Sequence, residues 1–216
     1  MSFDTSNPII RRSGSASVTY DLSESSQTTI TLPRGSTWTS GLHWHETHDE
    51  SLRVIQGSIR VRLGQQTITL AAGQEAKVPK FVRHEWWRAD ALVGEDVIVE
   101  ESTDPADEEK HLFFWNLNGV ILGSATSGFL SELLITLRLF MIFHALDNWP
   151  VLLEMSYCRR FISGALAAWL EGVVTHAVVA AAASLGNAIG FEPVNTRYTP
   201  PRLLRLWREK RSVKGT

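Results

Sequence analysis

Seven short runs of alternating apolar and polar residues between Ser17 and Glu101 constrain this chain more than any other feature. "SVTYDL", "TTITL", "LRVIQG", "SIRVRLG", "QQTITL", "AKVP" and "DVIVEE" have strand lengths, and Gly57, Gly64, Gly73 and Gly94 fall where hairpin turns are expected. In "SIRVRL" the residues Ile59, Val61 and Leu63 share one face and Arg60 and Arg62 the other. That period of two belongs to a strand with one side on a core and the other in water. Many such strands without intervening helices indicate a mainly β fold, a β-sandwich or small barrel.

The pattern then changes. "STDPADEEKH", Ser102 to His111, is acidic and contains Pro105, so it reads as a solvated connector or a helix start. Beyond it lie "GVILGSATSGFLSELLITLRLFMIFHALDNWP" and "RRFISGALAAWLEGVVTHAVVAAAASLGNAIG", long Leu- and Ala-rich stretches that predict helices, with Pro150 and Pro193 as stops. Charge divides at the same place: residues 1–110 carry 17 Asp and Glu against 11 Lys and Arg, whereas residues 111–216 carry 6 against 10. The expected organisation is a β-barrel domain with an N-terminal arm over residues 1–104 and an apolar helical C-terminal region with a basic tail over 105–216.

Composition removes several function classes. With 44% hydrophobic residues, 20% charged and a net charge of −2, the chain is neither disordered nor a general polyanion binder, and no nucleic-acid partner is expected. Cys158 is the sole cysteine, which excludes an intramolecular disulfide and a cysteine-based zinc cluster and favours a reducing compartment. The N-terminal "MSFDTSNPIIRRSG" lacks the apolar core of a secretory signal, so an intracellular location is expected, cytoplasmic or membrane-associated. No nucleophile elbow, phosphate loop or dinucleotide fingerprint occurs, so no nucleotide cofactor is expected.

The helical region leaves three alternatives open. Gly172–Phe191 is a run of twenty residues without a formal charge, matching the ~20 residues that span a bilayer core. Glu132 and Arg138 in the earlier stretch oppose a span there. The tail "RYTPPRLLRLWREKRSVKGT" has seven Lys and Arg against one Glu, interleaved with leucines and Trp207, a pattern suited to an anionic membrane surface or to a last helix of a bundle. A soluble bundle or homodimer interface, a membrane-surface contact and a spanning helix all remain.

"SGLHWHETHDESLRVIQG", Ser40 to Gly57, supplies the chemistry. On a strand His43 and His45 project from one face, close enough to share a cation, and the turn through His48 and Asp49 brings Glu50 back beside them. His84 in "VPKFVRHEWWRAD" provides a fourth ligand. Three neutral imidazoles and a carboxylate suit a borderline divalent metal, Fe(II), Mn(II), Zn(II), Ni(II) or Cu(II). A polar barrel interior without metal is the plainer alternative, and His48 is expected to be a solvated turn residue. His111, His144 and His176 stand at no ligand spacing and read as capped or core histidines.

The spacing G-x-H-x-H-x4-E-x6-G, met by Gly41, His43, His45, Glu50 and Gly57, resembles the first motif of the cupin family, and Gly73-x5-Pro79-x-Phe81-x2-His84 resembles the second. The resemblance covers about residues 17–103. It implies a jelly-roll barrel holding a metal on His43, His45, Glu50 and His84. Phe81 stands where the second motif usually has glycine and Arg88 where it usually has asparagine, departures that bear on the substrate rather than the metal. The wording of the motifs and the apolar extension are similar to small fungal cupin-domain oxidoreductases of polyketide and salicylaldehyde-type pathways.

Strand parity puts His84, Trp86 and Arg88 on one face, so Trp86 is expected either as a pocket wall or in the core. Arg88 is expected to seek an internal carboxylate or a substrate anion. With Phe81 these are the candidate substrate-binding residues. The expected function is a metal-dependent oxidoreductase, with Fe(II) favoured, acting on a small apolar or aromatic metabolite. The alternatives are a non-redox isomerase or decarboxylase and a non-enzymatic ligand-binding cupin.

Overall fold

The strands that the alternating runs predict close on one another in two antiparallel sheets. The structure, a computed structural model, describes residues 3–90, 94–123, 128–155 and 163–214, and Cys158 lies outside these. The strands are β1 (Ile9–Arg12), β2 (Val18–Asp21), β3 (Thr28–Leu32), β4 (His43–Trp44), β5 (Asp49–Gln56), β6 (Ser58–Leu63), β7 (Gln66–Ala71), β8 (Glu75–Val78), β9 (His84–Arg88), β10 (Val97–Asp104) and β11 (Trp149–Pro150). One sheet has the order β1-β2-β3-β10-β5-β8 and the other β11-β4-β9-β6-β7. The alternating runs predict a β-sandwich or small barrel, and the two sheets form the jelly-roll barrel that the family resemblance implies.

Period-two burial fills the space between the sheets. Ile30 and Leu32 of β3, Leu52 and Val54 of β5, Ile59 and Val61 of β6 and Val97 and Val99 of β10 all point inward and are buried. Each such side chain contributes about 1.5–3 kcal/mol by leaving water. The same parity turns Glu50, His84, Arg88 and Glu101 inward, so polar groups enter the barrel only because their strands are held by apolar neighbours two residues away. Gly57 turns β5 into β6 at φ 76°, and a Cβ there would stand 2.8 Å from Val97 Cγ2, so no side chain fits.

Among the described residues four helices follow: α1 (Glu109–Gly123), α2 (Phe129–Ala145), α3 (Gly164–Ala188) and α4 (Pro201–Lys214). They are not set apart from the barrel. Leu112, Phe114 and Trp115 of α1, Ile142 of α2 and Leu203 of α4 belong to the same buried cluster as Tyr20, Ile30 and Trp86. The Phe114 ring lies 4.8 Å from that of Tyr20. The helical half also gives a strand back: β11 pairs with β4, Trp149 opposite Trp44 and Pro150 opposite His43. Pro150, read from the sequence as a helix stop, tolerates this position because β11 is an edge strand.

By length and composition α3 is long and apolar enough to cross a membrane, with 22% of its most apolar window buried. One face packs on α2 and β11. There Glu171 stands 2.8 Å from Arg83 of the barrel, and Thr175 donates its hydroxyl proton to the carbonyl of Pro150 at 2.9 Å. The opposite face exposes Leu166, Trp169, Val173 and Leu185, and α2 exposes Phe129, Leu130 and Leu133. In the basic tail, Arg202 pairs with Glu108 and Lys210 with Asp107 at 2.7 Å, so part of its charge is spent on the start of α1.

Candidate metal centre

His43, His45, Glu50 and His84 meet in the barrel with ligand atoms all within 4.8 Å of one another, and all four are buried. β4 and the residue after it carry the first two histidines, β5 the carboxylate and β9 the third imidazole. The ring centroids of His43 lie 4.2 Å from those of His84 and 5.0 Å from those of His45. Glu50 reaches both sides: Oε2 is 3.2 Å from His45 Nε2 and Oε1 is 3.3 Å from His84 Nε2.

Each imidazole has its Nδ1 against a backbone carbonyl. His43 Nδ1 is 2.8 Å from the carbonyl of Gly41, His45 Nδ1 is 2.5 Å from that of Asp147, and His84 Nδ1 is 2.9 Å from that of Val82. A carbonyl only accepts, so each ring carries a proton on Nδ1, and the Nε2 atoms of His45 and His84 face Glu50. His84 Nε2 is buried without a hydrogen-bond partner. A ring nitrogen and a carboxylate oxygen at 3.2–3.3 Å need a cation between them, either a divalent ion or the proton of an imidazolium; burial opposes charge on His84, but Glu50 holds it above the usual imidazole range when no metal is bound. Donors set at right angles ~2.1 Å from a divalent ion stand about 3 Å apart, so the donor set fits a first-row metal. Burial, then the neighbouring His84 and His45, hold His43 well below the usual imidazole range, the neutral state a ligand needs.

Several polar residues around the centre were not singled out in the sequence. Lys110, the second residue of α1, places Nζ 2.5 Å from Glu50 Oε2 and in contact with Glu101. Burial disfavours its charge, but the two carboxylates hold its pKa above the usual lysine value. Glu101 is pushed up to about 7, first by burial and then by Glu50, against the pull of Lys110. Its inward direction was readable from "VIVEE", where Val97, Val99 and Glu101 share a face; nothing local marks Lys110. Asp147, between α2 and β11, has φ 49° and accepts the backbone N–H groups of Glu46, Thr47 and His48 on its carboxylate.

The structure corrects the reading of His48, which is buried rather than solvated. Its Nδ1 is 2.8 Å from Asp147 and its Nε2 3.2 Å from Asp107. Burial opposes its charge, but these two carboxylates push it up to about 9. With Asp107 and Glu109 it forms a second carboxylate–imidazole group, which Lys210 neutralises from α4. The acidic connector is therefore partly internal.

A cavity of about 290 Å³ is lined by His43, His45 and Glu50 of the four ligands. Phe113, Phe114, Leu117, Leu139, Phe143 and Leu146 of the helices form its apolar wall, and Arg12, Tyr20, Lys110 and Glu101 contribute polar groups. The three residues expected to shape this pocket do not line it. Phe81 is 62% exposed in the turn before β9 and donates its backbone N–H to the carbonyl of His45 at 2.7 Å. Its φ of 65° lies in the left-handed region, which explains why glycine suits this position in the motif it resembles. Trp86 is fully buried, packs 4.8 Å from Trp38 and approaches Glu101 with Nε1 at 3.3 Å. Arg88 donates to the carbonyls of Leu32 and Glu95 at 2.8 Å and of Asp90 at 3.0 Å, stapling the end of β9 to its neighbours.

Residues 29–92 match the family model of the cupin domain. A cupin-2 domain protein from Shewanella frigidimarina is 19% identical and is matched over 43% of this chain and 74% of its own, with a TM-score of 0.28. A predicted oxalate decarboxylase from Thermotoga maritima is 16% identical over 48% of this chain and 96% of its own, TM-score 0.37. KdgF from Halomonas sp. is 17% identical over 48% and 93%, TM-score 0.34. A search among curated proteins finds no match.

Proposed function

We propose that this chain is a metal-dependent cupin enzyme acting on a small, largely apolar or aromatic metabolite. The particular reaction we favour is oxidation of a polyketide-type compound in secondary-metabolite biosynthesis. One observation carries the reading: three imidazoles, each fixed by a carbonyl on Nδ1, and one carboxylate gather their ligand atoms within 4.8 Å beside a largely apolar cavity. The oxidative, polyketide-type part rests on the likeness of the two histidine motifs to fungal cupin oxidoreductases. A divalent metal, Fe(II) first among Mn, Zn, Ni and Cu, would supply Lewis-acid chemistry and, as iron, redox chemistry.

The chain's own residues do the rest. His43, His45, Glu50 and His84 hold the ion, and Phe113, Phe114 and Phe143 exclude water from the bound metabolite. The Lys110–Glu101 pair sits where a proton can be lent to or taken from the ligand. That pair also favours a second reading, a non-redox isomerase or decarboxylase, which needs the same acid–base group and no oxygen.

The test is metal analysis of the purified full chain followed by turnover of the producing cell's metabolites with and without Fe(II) and oxygen. About one first-row metal per chain, largely lost in His84→Ala, and product only with both additions are expected. Product with oxygen excluded moves the reaction to the non-redox class. Stoichiometric binding with no product under any metal makes the chain a carrier, and full metal content in a His43→Ala, His45→Ala double variant removes the site.

A further inference from the structure

The cavity lined by His43, His45 and Glu50 has a cationic group for which the metal chemistry has no use. Arg12, the last residue of β1, lines it together with Tyr20 and Trp38. Its Nη2 donates to the Tyr20 hydroxyl at 2.7 Å, and its Cζ lies 5.4 Å from the centre of the Tyr20 ring. Nε is buried and has no hydrogen-bond partner, and none of the ion pairs among the described residues includes Arg12. The Tyr20 oxygen also accepts the Trp38 indole N–H at 3.1 Å. Taking two donors, it keeps its own proton to give, and no acceptor for that proton occurs among the described residues.

Arg12 and Tyr20 line the cavity, and each keeps a donor, the guanidinium Nε–H and the phenol O–H, without an acceptor among the described residues. A buried donor left unpaired is costly and calls for an explanation. Among the described residues neither donor reaches another polar group of the cavity, Glu50 and Glu101 included, and both of those carboxylates pair with Lys110. We propose that Arg12 and Tyr20 form a carboxylate-binding subsite, so that the metabolite is an aromatic or apolar acid with its anion on Arg12 and its body against Phe113, Phe114 and Phe143. A planar guanidinium matches a carboxylate fork-to-fork, and the phenol adds a third donor. This deepens the proposed function and rests on it for the substrate alone, because the subsite is built from residues that hold no metal.

The experiment is calorimetric titration of the full chain with benzoate and with benzyl alcohol, in metal-loaded and metal-free protein, for wild type and Arg12→Gln, Arg12→Lys and Tyr20→Phe. Wild type is expected to bind benzoate in both states. Arg12→Gln should weaken it at least ~10-fold, Tyr20→Phe less, and Arg12→Lys should recover part of the loss. Benzyl alcohol should not sense Arg12, and all variants should keep the wild-type metal content. Unchanged benzoate affinity in Arg12→Gln, or binding that vanishes when metal is removed, places the anion on the metal and overturns the subsite while leaving the metal enzyme intact. No benzoate binding at all in the wild type also overturns it. If no variant nor wild type holds metal, the enzyme reading fails, and Arg12-dependent benzoate binding still sustains the subsite.

Discussion

The backbone carbonyl of Asp147 lies 2.5 Å from His45 Nδ1, and the carboxylate of the same residue accepts the N–H groups of Glu46, Thr47 and His48. One loop residue of the helical half therefore sets both the tautomer of a candidate ligand and the shape of the turn that carries it. Asp147→Asn keeps the size and tolerates the positive φ, but its amide nitrogen cannot accept these bonds. We expect metal affinity to fall about 10–100-fold, as for other partners of metal-bound histidines, measured by competition with a chromophoric chelator. Affinity equal to wild type would show that the turn holds its shape unaided.

Lys110 stands between Glu50 and Glu101, so Lys110→Met leaves two buried carboxylates facing each other. The metal-free variant is expected to lose about 3–5 kcal/mol, the usual cost of breaking a buried pair. A divalent ion neutralises Glu50 and should restore part of that loss. Denaturant melts with and without metal test this, and an equal loss in both states would mean that the ion does not bind beside Glu50.

Asp107 ties the connector to two other elements through His48 and Lys210. Burial pushes its carboxyl upward, but the hydrogen bonds from His48, Lys210 and the backbone of Glu109 hold it well below the usual range. A depressed carboxylate contributes stability that is full above its unfolded pKa of about 3.9 and is lost as pH falls through the lower folded value. Wild type should therefore exceed Asp107→Asn in melting temperature near pH 6–7, and the gap should close on acidification below about pH 4. A gap that widens toward low pH would reverse the sign and remove the pair.

The helices complete the barrel's core and wall its cavity, so a chain ending after Asp104 should expose Tyr20 and Ile30 and lose Asp147 from the ligand turn. The sequence pattern suggests a soluble metal-binding fragment; the shared core predicts an unfolded or aggregated one that binds no metal. Circular dichroism and metal analysis of residues 1–104 decide between them.

The same packing bears on location. Pulling α3 into a bilayer separates Glu171 from Arg83 and Thr175 from Pro150. We expect any membrane-bound fraction of the full chain to be released by alkaline carbonate. Carbonate-resistant pelleting would mean that α3 leaves the barrel and spans.

The β half and its four candidate ligands are legible in the sequence because the information is local. Strand parity turns His84, Trp86 and Arg88 inward whatever the rest of the fold does, and a turn of fixed length returns Glu50 to His45. Where those side chains end is not local. Trp86 and Arg88 face inward as parity requires, yet Trp86 ends in the core behind Glu101 and Arg88 on three carbonyls, because the cavity opens toward the helices and away from the end of β9. Lys110 reaches Glu50 from 60 positions away and Asp147 reaches His45 from 102. No periodicity or spacing within either segment encodes such a meeting. It is decided when apolar faces of helix and barrel bury each other, a force without direction that nonetheless brings a lysine and a carbonyl to within hydrogen-bonding distance of the ligands.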